Sequence, residues 1–248
     1  MSWDSSSDGT IDGQPVVAGG MGFNQWGESD YSDGRFYEGS DIMRLLNTYY
    51  LGTTNVCNYC NDSNQMTCPI ENDCSSSVKQ LDANALKAID NTIWYLGGRS
   101  HAVRFPASTV YNAERGTTTG KICPSTSASC NDEVNRTLTW LGKVGLLYPS
   151  DYGYASKNET CKNDLYGSDS TCDQENWLHP SSGEYWTIMP YANASYAVNV
   201  YGISSANSLS HYTAYSPRSI WPTVYLKYGT KIIGTGQNNS DAIFKIVE

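Results

Sequence analysis

The residues able to do chemistry in this 248-residue chain are eight cysteines, three histidines and a scatter of acids. Their spacing points to cross-linking rather than catalysis. The cysteines fall into local groups: Cys57, Cys60, Cys68 and Cys74; then Cys123 and Cys130; then Cys161 and Cys172. An even number of cysteines in short polar loops predicts disulfides formed in an oxidising compartment. Cys123–Cys130 and Cys161–Cys172 are the expected small-loop bridges. The first four cysteines allow three pairings, and spacing does not choose among them. Closing loops this short stabilises by roughly 2–3 kcal/mol each. A four-cysteine zinc site is the rival for the first group, but only one C-x2-C is present where such sites use two. Asp62, Glu71, Asp73 and the surrounding serines suit exposed bridges better.

None of the histidines belongs to a catalytic motif. His101 follows a Gly-rich turn, His179 precedes Pro180, and His211 lies in a Tyr/Ser-rich stretch. There is no G-x-S-x-G, no H-E-x-x-H and no phosphate loop. The acidic pair Asp132–Glu133 sits in a polar loop and reads as solvated charge. No catalytic residue, metal ligand or cofactor is assigned, and the chain is expected not to be an enzyme.

Composition narrows the partners. The net charge of −9 argues against nucleic acid, which needs a basic footprint. No run of 18 apolar residues is present to make a membrane span. The opening MSWDSSSDG has neither the basic nor the apolar region of a secretory signal. Met1 therefore reads as a start added to an excised ectodomain, with its export signal or anchor left out. The 19 tyrosines against 4 phenylalanines suit a loop-rich, partly wet architecture.

The most unusual segment is Thr187–Leu226, whose one full charge is Arg218. It is built from Tyr, Ser, Asn, Ala and Gly with Val, Ile and Leu interleaved. Tyr offers large amphipathic contact area at low rotamer cost, and Ser, Gly and Asn offer adaptable hydrogen bonding. A closed core would hold fewer hydroxyls and amides, because each one buried without a partner costs roughly 1–3 kcal/mol. The segment is expected to form strands whose outward residues face a ligand. A Tyr/Ser-rich sheet with no partner is the plainer alternative.

The elements that must carry this face can be read in outline. Residues 1–39 are Gly/Ser/Asp-rich and mostly loop. Ser40 caps a helix with Asp41 in its first turn, Ile42, Leu45, Leu46 and Tyr49 on one face, and Gly52 at its end. A second helix is expected from about Asp82 to Trp94, with Leu86, Ile89 and Ile93 as its stripe. Ser108–Arg136 reads as polar and turn-rich. Strand patterning begins at Thr137–Leu147, and a polar disulfide loop covers 156–176. The last third reads as β: Trp186–Pro190, Tyr196–Tyr201, Thr223–Ile233 and Ala242–Val247. Alternation in Tyr196–Tyr201 would leave one face apolar and present the other. Early helices and late strands define an α+β class in one domain over 1–248.

Several phrases carry a resemblance. WDSS, QWGESD, SDIMRLLN, NTIWYLGG, YNAERG, GKVGLLYPSDYGYA, WTIMPY and WPTVYL, spread from Trp3 to about Ile233, are similar to a family of bacterial and phage surface proteins. These have a C-type-lectin-like fold and often follow a pilin-like or other surface-anchoring N-terminus. The resemblance implies two helices flanking a mixed antiparallel sheet, with long disulfide-bearing loop insertions and a ligand face on the C-terminal strands over 186–233. Some members are variable proteins of diversity-generating retroelements, and Tyr191–Tyr215 has the composition that such diversification yields. Members commonly close with a Gly-Val-Arg-Pro-like turn, whose Arg pairs inside the sheet. Here Ser219, Ile220, Trp221 and Pro222 stand there, so either Arg218 substitutes or Trp221 packs in its place. The calcium-binding triplets of animal lectins of this fold do not occur. Formylglycine-generating enzymes, which resemble the fold in their core, need a reactive cysteine pair. Every cysteine here precedes the binding strands.

The expected function is a non-enzymatic receptor-recognition or adhesion domain on a cell or virion surface, hypervariable if the tract is diversified. Its partner would be a protein or glycan ligand on another cell or surface. The expected contact residues are Asn193, Ser195, Tyr196, Asn199, Tyr201, Ser204, Asn207, His211, Tyr212, Tyr215 and Trp221, of which alternation allows about half of those on strands to face outward. The alternative is a structural pilus or surface-assembly subunit whose Tyr-rich face packs against another copy. The sequons at Asn61, Asn135, Asn158, Asn193 and Asn238 read as chance in a chain rich in Asn, Ser and Thr.

Overall fold

The computed structural model describes residues 10–11, 14–15, 40–54, 57–59, 70–72, 80–81, 83–96, 105–115, 139–163, 165, 170–180, 183–191, 199–205, 208–214, 218–233 and 245–247. Among these, helices and antiparallel strand pairs mix in an α+β arrangement. The strands β1 (Thr10–Ile11) and β2 (Gln14–Pro15) form a short hairpin, and β3 (Cys57–Tyr59) pairs with β4 (Ile70–Asn72). No helix of the described residues is long and apolar enough to cross a membrane.

Helix α1 (Asp41–Asn47) forms where the sequence predicts it. The Ser40 hydroxyl accepts from the Met43 N–H, and Ile42, Met43, Leu45, Leu46 and Tyr49 are buried. Gly52 takes φ +71° at the turn that follows, a conformation that costs glycine little. Asn47 fastens this helix to a distant turn. Its Oδ1 accepts from the N–H groups of Lys143 (2.8 Å) and Val144 (3.0 Å), and its Nδ2 donates to the carbonyls of Met43 (2.8 Å) and Val144 (2.7 Å).

The second helix is shorter than the spacing suggests. α2 covers only Ala83–Ala88, and Thr92–Tyr95 is a strand, β5. The chain breaks at Asp90–Asn91, where the Asp90 carboxylate accepts from the Asn91 N–H and the Asp90 N–H donates to the Tyr225 carbonyl. The β-branched and aromatic run Thr-Ile-Trp-Tyr then pairs antiparallel with β6 (Thr139–Gly142), Trp94 opposite Trp140. Ile93 is exposed, so Leu86, Ile89 and Ile93 do not make one helical stripe. Trp94 is buried, donates from Nε1 to the Gly142 carbonyl (3.0 Å) and covers Gly145, where a Cβ would meet its ring at 2.7 Å.

Two further helices correct the sequence reading. α3 (Ala107–Arg115) occupies the start of the stretch expected to be turn-rich, and it buries Ala107, Val110, Ala113 and Glu114. Small residues at helical spacing gave a weak apolar signal. α4 (Pro149–Tyr154) follows β7 (Val144–Leu146), with Pro149 at its first position and Asp151 accepting from the Tyr148 N–H. The expected disulfide loop holds a 3-10 turn (Glu159–Asn163) and α5 (Ser170–Gln174), joined by the predicted Cys161–Cys172 bond.

The last third is β as expected, but Ser208–Thr213 is a strand that the sequence reading omits, and the expected strand Thr223–Ile233 divides into Pro222–Val224 and Lys231–Ile233. β8 (Glu184–Pro190), β9 (Asn199–Ser204) and β10 (Ser208–Thr213) make a three-stranded antiparallel sheet with β9 in the middle. β11 (Pro222–Val224) returns to pair with β7, and β12 (Lys231–Ile233) pairs with β13 (Lys245–Val247). Trp186, Ile188 and Val200 join α1, β5 and β7 in one apolar core. Tyr185, Met189, Tyr201, Ile203 and Leu209 join α3 and α4 in a second. Side chains alternate across a strand, so the sheet is packed on both faces.

Candidate ligand-binding face

The three-stranded sheet brings part of the expected contact set together, and its register decides which residues can reach a partner. Tyr201 faces His211, Val200 faces Tyr212, and Ser204 faces Ser208 on one side and Glu184 on the other. β9 is flanked by a strand on each edge and covered on each face. Tyr201 (0% exposed) and Ser204 (2%) are therefore sealed inside, and their expected place on a presented surface is corrected. Alternation distributed their side chains properly, but both faces of the central strand are occupied.

The edge strand β10 is different. Leu209 and Ala214 are buried, while Ser210, His211, Tyr212 and Thr213 are each half-buried. His211 stacks on Tyr191 (4.1 Å between ring centroids), and both rings contact Tyr201. Tyr212 lies across Gly202, where a Cβ would meet its ring at 3.2 Å and the Tyr185 carbonyl oxygen at 2.9 Å. Glycine is thus required where the aromatic ring crosses the central strand.

Arg218, the one formal charge of Thr187–Leu226, is turned inward. Its Nη2 donates to Glu184 Oε2 at 2.8 Å, and its guanidinium lies over the rings of Tyr212 (3.6 Å) and Trp186 (4.8 Å). Burial pulls its pKa down, and Glu184 opposes that shift. Burial likewise pushes the Tyr212 hydroxyl up. The backbone beside Arg218 extends the sheet: the Ser219 N–H donates to the Glu184 carbonyl, and the Trp186 N–H donates to the Ser219 carbonyl. Arg218 thus pairs inward beside the sheet, and Trp221 packs as well. The Trp221 ring is half-buried and stacks flat on Tyr185 (4.1 Å, 7°).

The remaining expected residues are placed as follows. Asn199 begins β9 opposite Thr213. Asn193, Ser195, Tyr196, Asn207 and Tyr215 lie outside the described residues. So do Cys60, Cys68, Cys74, Cys123 and Cys130; Cys57 lies in β3. Sequence reasoning missed Tyr191 and Glu184 as supports of the edge. A ring adjoining Pro190 and a lone acid opening a strand carried no signal of that role.

Chemically, this edge offers hydroxyls, an imidazole and aromatic faces, with its one cation already paired. Among the described residues no three His, Cys, Asp or Glu side chains are grouped to hold a metal ion. No family model, curated protein or solved structure matches the chain.

Proposed function

We propose that this chain is a non-enzymatic ligand-binding domain of C-type-lectin-like architecture, displayed on a cell or virion surface and adhering through its C-terminal strands. One observation carries the reading: the cation of the tract is drawn inward to Glu184, leaving β10 as an uncharged, half-exposed edge on a sealed sheet. A rigid scaffold with a tolerant rim lets contact residues change without unfolding the domain. The contact set supported by burial is narrower than the composition suggested: His211, Tyr212 and Trp221, with Ser210 and Thr213 between or beside them. Diversification of Tyr191–Tyr215 by a retroelement is part of the proposal.

The test is binding of the labelled chain to a panel of intact bacterial cells by flow cytometry. His211→Ala with Trp221→Ala should abolish binding while circular dichroism keeps its folded signature. Undiminished binding by the double variant would remove β10 and Trp221 from the contact surface. Sibling genes should vary at His211 and Tyr212 and stay fixed at Tyr201.

A second reading draws on the same edge. Among the described residues no strand pairs with the outer side of β10, and a free edge can accept a strand from another copy. Under that reading the chain is an assembly subunit, and light scattering would show oligomers whose fraction rises with protein concentration.

A further inference from the structure

The turn at 176–179 is held more firmly than a surface turn needs to be. Asn176 Nδ2 donates to the Tyr152 carbonyl (2.8 Å), and its Oδ1 accepts from the Leu178 N–H (2.9 Å). The Tyr185 hydroxyl donates to the Leu178 carbonyl (2.6 Å), and the His179 N–H donates to the Asn176 carbonyl (3.0 Å). Leu178 and Pro180 are buried. The Cys161–Cys172 bond anchors α5, which leads into the turn.

Fixed at this turn is Trp177, 67% exposed, whose indole makes no hydrogen bond, ring stack or cation contact with another part of the described chain. A large aromatic ring left in water on a backbone fixed in this way is placed for contact at low ordering cost. Two residues on, His179 Nδ1 lies 2.8 Å from the Tyr152 hydroxyl and 3.5 Å from Asp173 Oδ1. Its other ring nitrogen makes no hydrogen bond to a described residue. Gln174 and Glu175, before the turn, are exposed.

We propose that Trp177 and His179 form a calcium-independent sugar-binding site, with a pyranose ring lying on the indole and its hydroxyls bonded to His179 and to Gln174 or Glu175. A sugar ring has an apolar C–H face and a rim of hydroxyls, and a bare ring two or three positions from His179, Glu175 and Gln174 is complementary to both. A protein partner would find little more apolar surface here, because Leu178 and Pro180 are turned inward. The site lies outside the tyrosine–serine tract and stands whether or not that tract binds a ligand.

The test is isothermal titration of the full chain, in EDTA, with tetrasaccharides of glucose, galactose, mannose and N-acetylglucosamine. At least one should bind saturably. Trp177→Ala should weaken that binding by more than about tenfold, as loss of an aromatic anchor does. Trp177→Tyr should keep most of it, and His179→Ala should lose severalfold. Tyr228→Ala, at another exposed aromatic, should change nothing. Circular dichroism of Trp177→Ala should match the parent, because two thirds of the residue lies in solvent. Absence of saturable binding, undiminished binding by Trp177→Ala, or loss of binding in EDTA would each overturn the proposal. So would a partner protein that binds through Trp177 equally well after deglycosylation.

Discussion

Glu184 and Arg218 form an ion pair at 2.8 Å, with the arginine 9% exposed and the carboxylate 34%. The pair is the electrostatic hinge of the proposed binding edge, because Tyr212 and Trp186 both rest on the guanidinium. Among the described residues the Nε and Nη1 donors of Arg218 have no hydrogen-bond partner, and Glu184 is the acceptor that compensates the charge.

Removing that acceptor alone should therefore be costly. Glu184→Ala is expected to destabilise by about 2–3 kcal/mol, at or below the lower end for broken buried pairs because Glu184 is a third exposed. Arg218→Met with Glu184→Ala should recover much of the loss. Urea denaturation of the two single variants and the double variant measures the coupling, and strict additivity would show that the pair does not act as a unit.

The α3–α4 contact should make stability fall with rising pH. Glu114 is fully buried, and burial pushes its carboxyl up to about 8 against opposing help from Ser150 and Arg115. Its Oε1 accepts from the Ser150 N–H, and its Oε2 has no partner among the described residues. Arg115 is engaged elsewhere, with Asp151 (2.5 Å) and the Ser150 hydroxyl (2.8 Å). The folded chain thus holds this proton more tightly than the unfolded chain. The stabilisation is complete below the ordinary carboxylate range and is lost as pH rises toward about 8. The slope is at most about 1.4 kcal/mol per pH unit. Glu114→Gln should flatten the melting temperature between pH 5 and pH 8.5 (about this span by the same linkage), raising it at the alkaline end. An unchanged pH profile in this variant would exclude Glu114 as the linked group.

Asn47 should be among the least replaceable polar residues. Its side chain satisfies both backbone groups of Val144 and the Lys143 N–H while holding α1 in place. Asn47→Leu leaves those groups with nothing to bond, at about 1–3 kcal/mol for each one that stays buried. Asn47→Asp keeps the acceptor but loses both donated bonds and should fall between the two. Thermal melts of the three proteins should rank in that order.

The Cys161–Cys172 bond closes a short loop, at a sequence separation of 11. Replacing both with serine should cost about 3 kcal/mol by the chain-entropy estimate. It should also loosen the Trp177 turn, seen as faster amide exchange at Leu178 and His179. Peptide mapping without reduction should recover the two cysteines in one linked fragment.

Local chemistry was enough to place several parts of the molecule. Ser40, the Ile42–Leu45–Leu46 stripe and Gly52 specify α1 because capping, periodicity and a left-handed turn are written within a few residues. The β character of the last third, and the spacing that joins Cys161 to Cys172, are similarly local. What only the tertiary structure decided depended on distant neighbours. Thr92–Tyr95 became a strand because Thr139–Gly142 lies alongside it, and Ala107–Arg115 became a helix because α4 and the β8–β10 sheet cover its small side chains. Tyr201 resembles a contact residue in the sequence, but it is sealed because β9 acquired a strand on each edge and a core on each face. Trp177 faces solvent because the backbone turns at Asn176. Side-chain alternation is fixed by the residues themselves; which of the alternating faces meets water is fixed by what the rest of the chain lays against them.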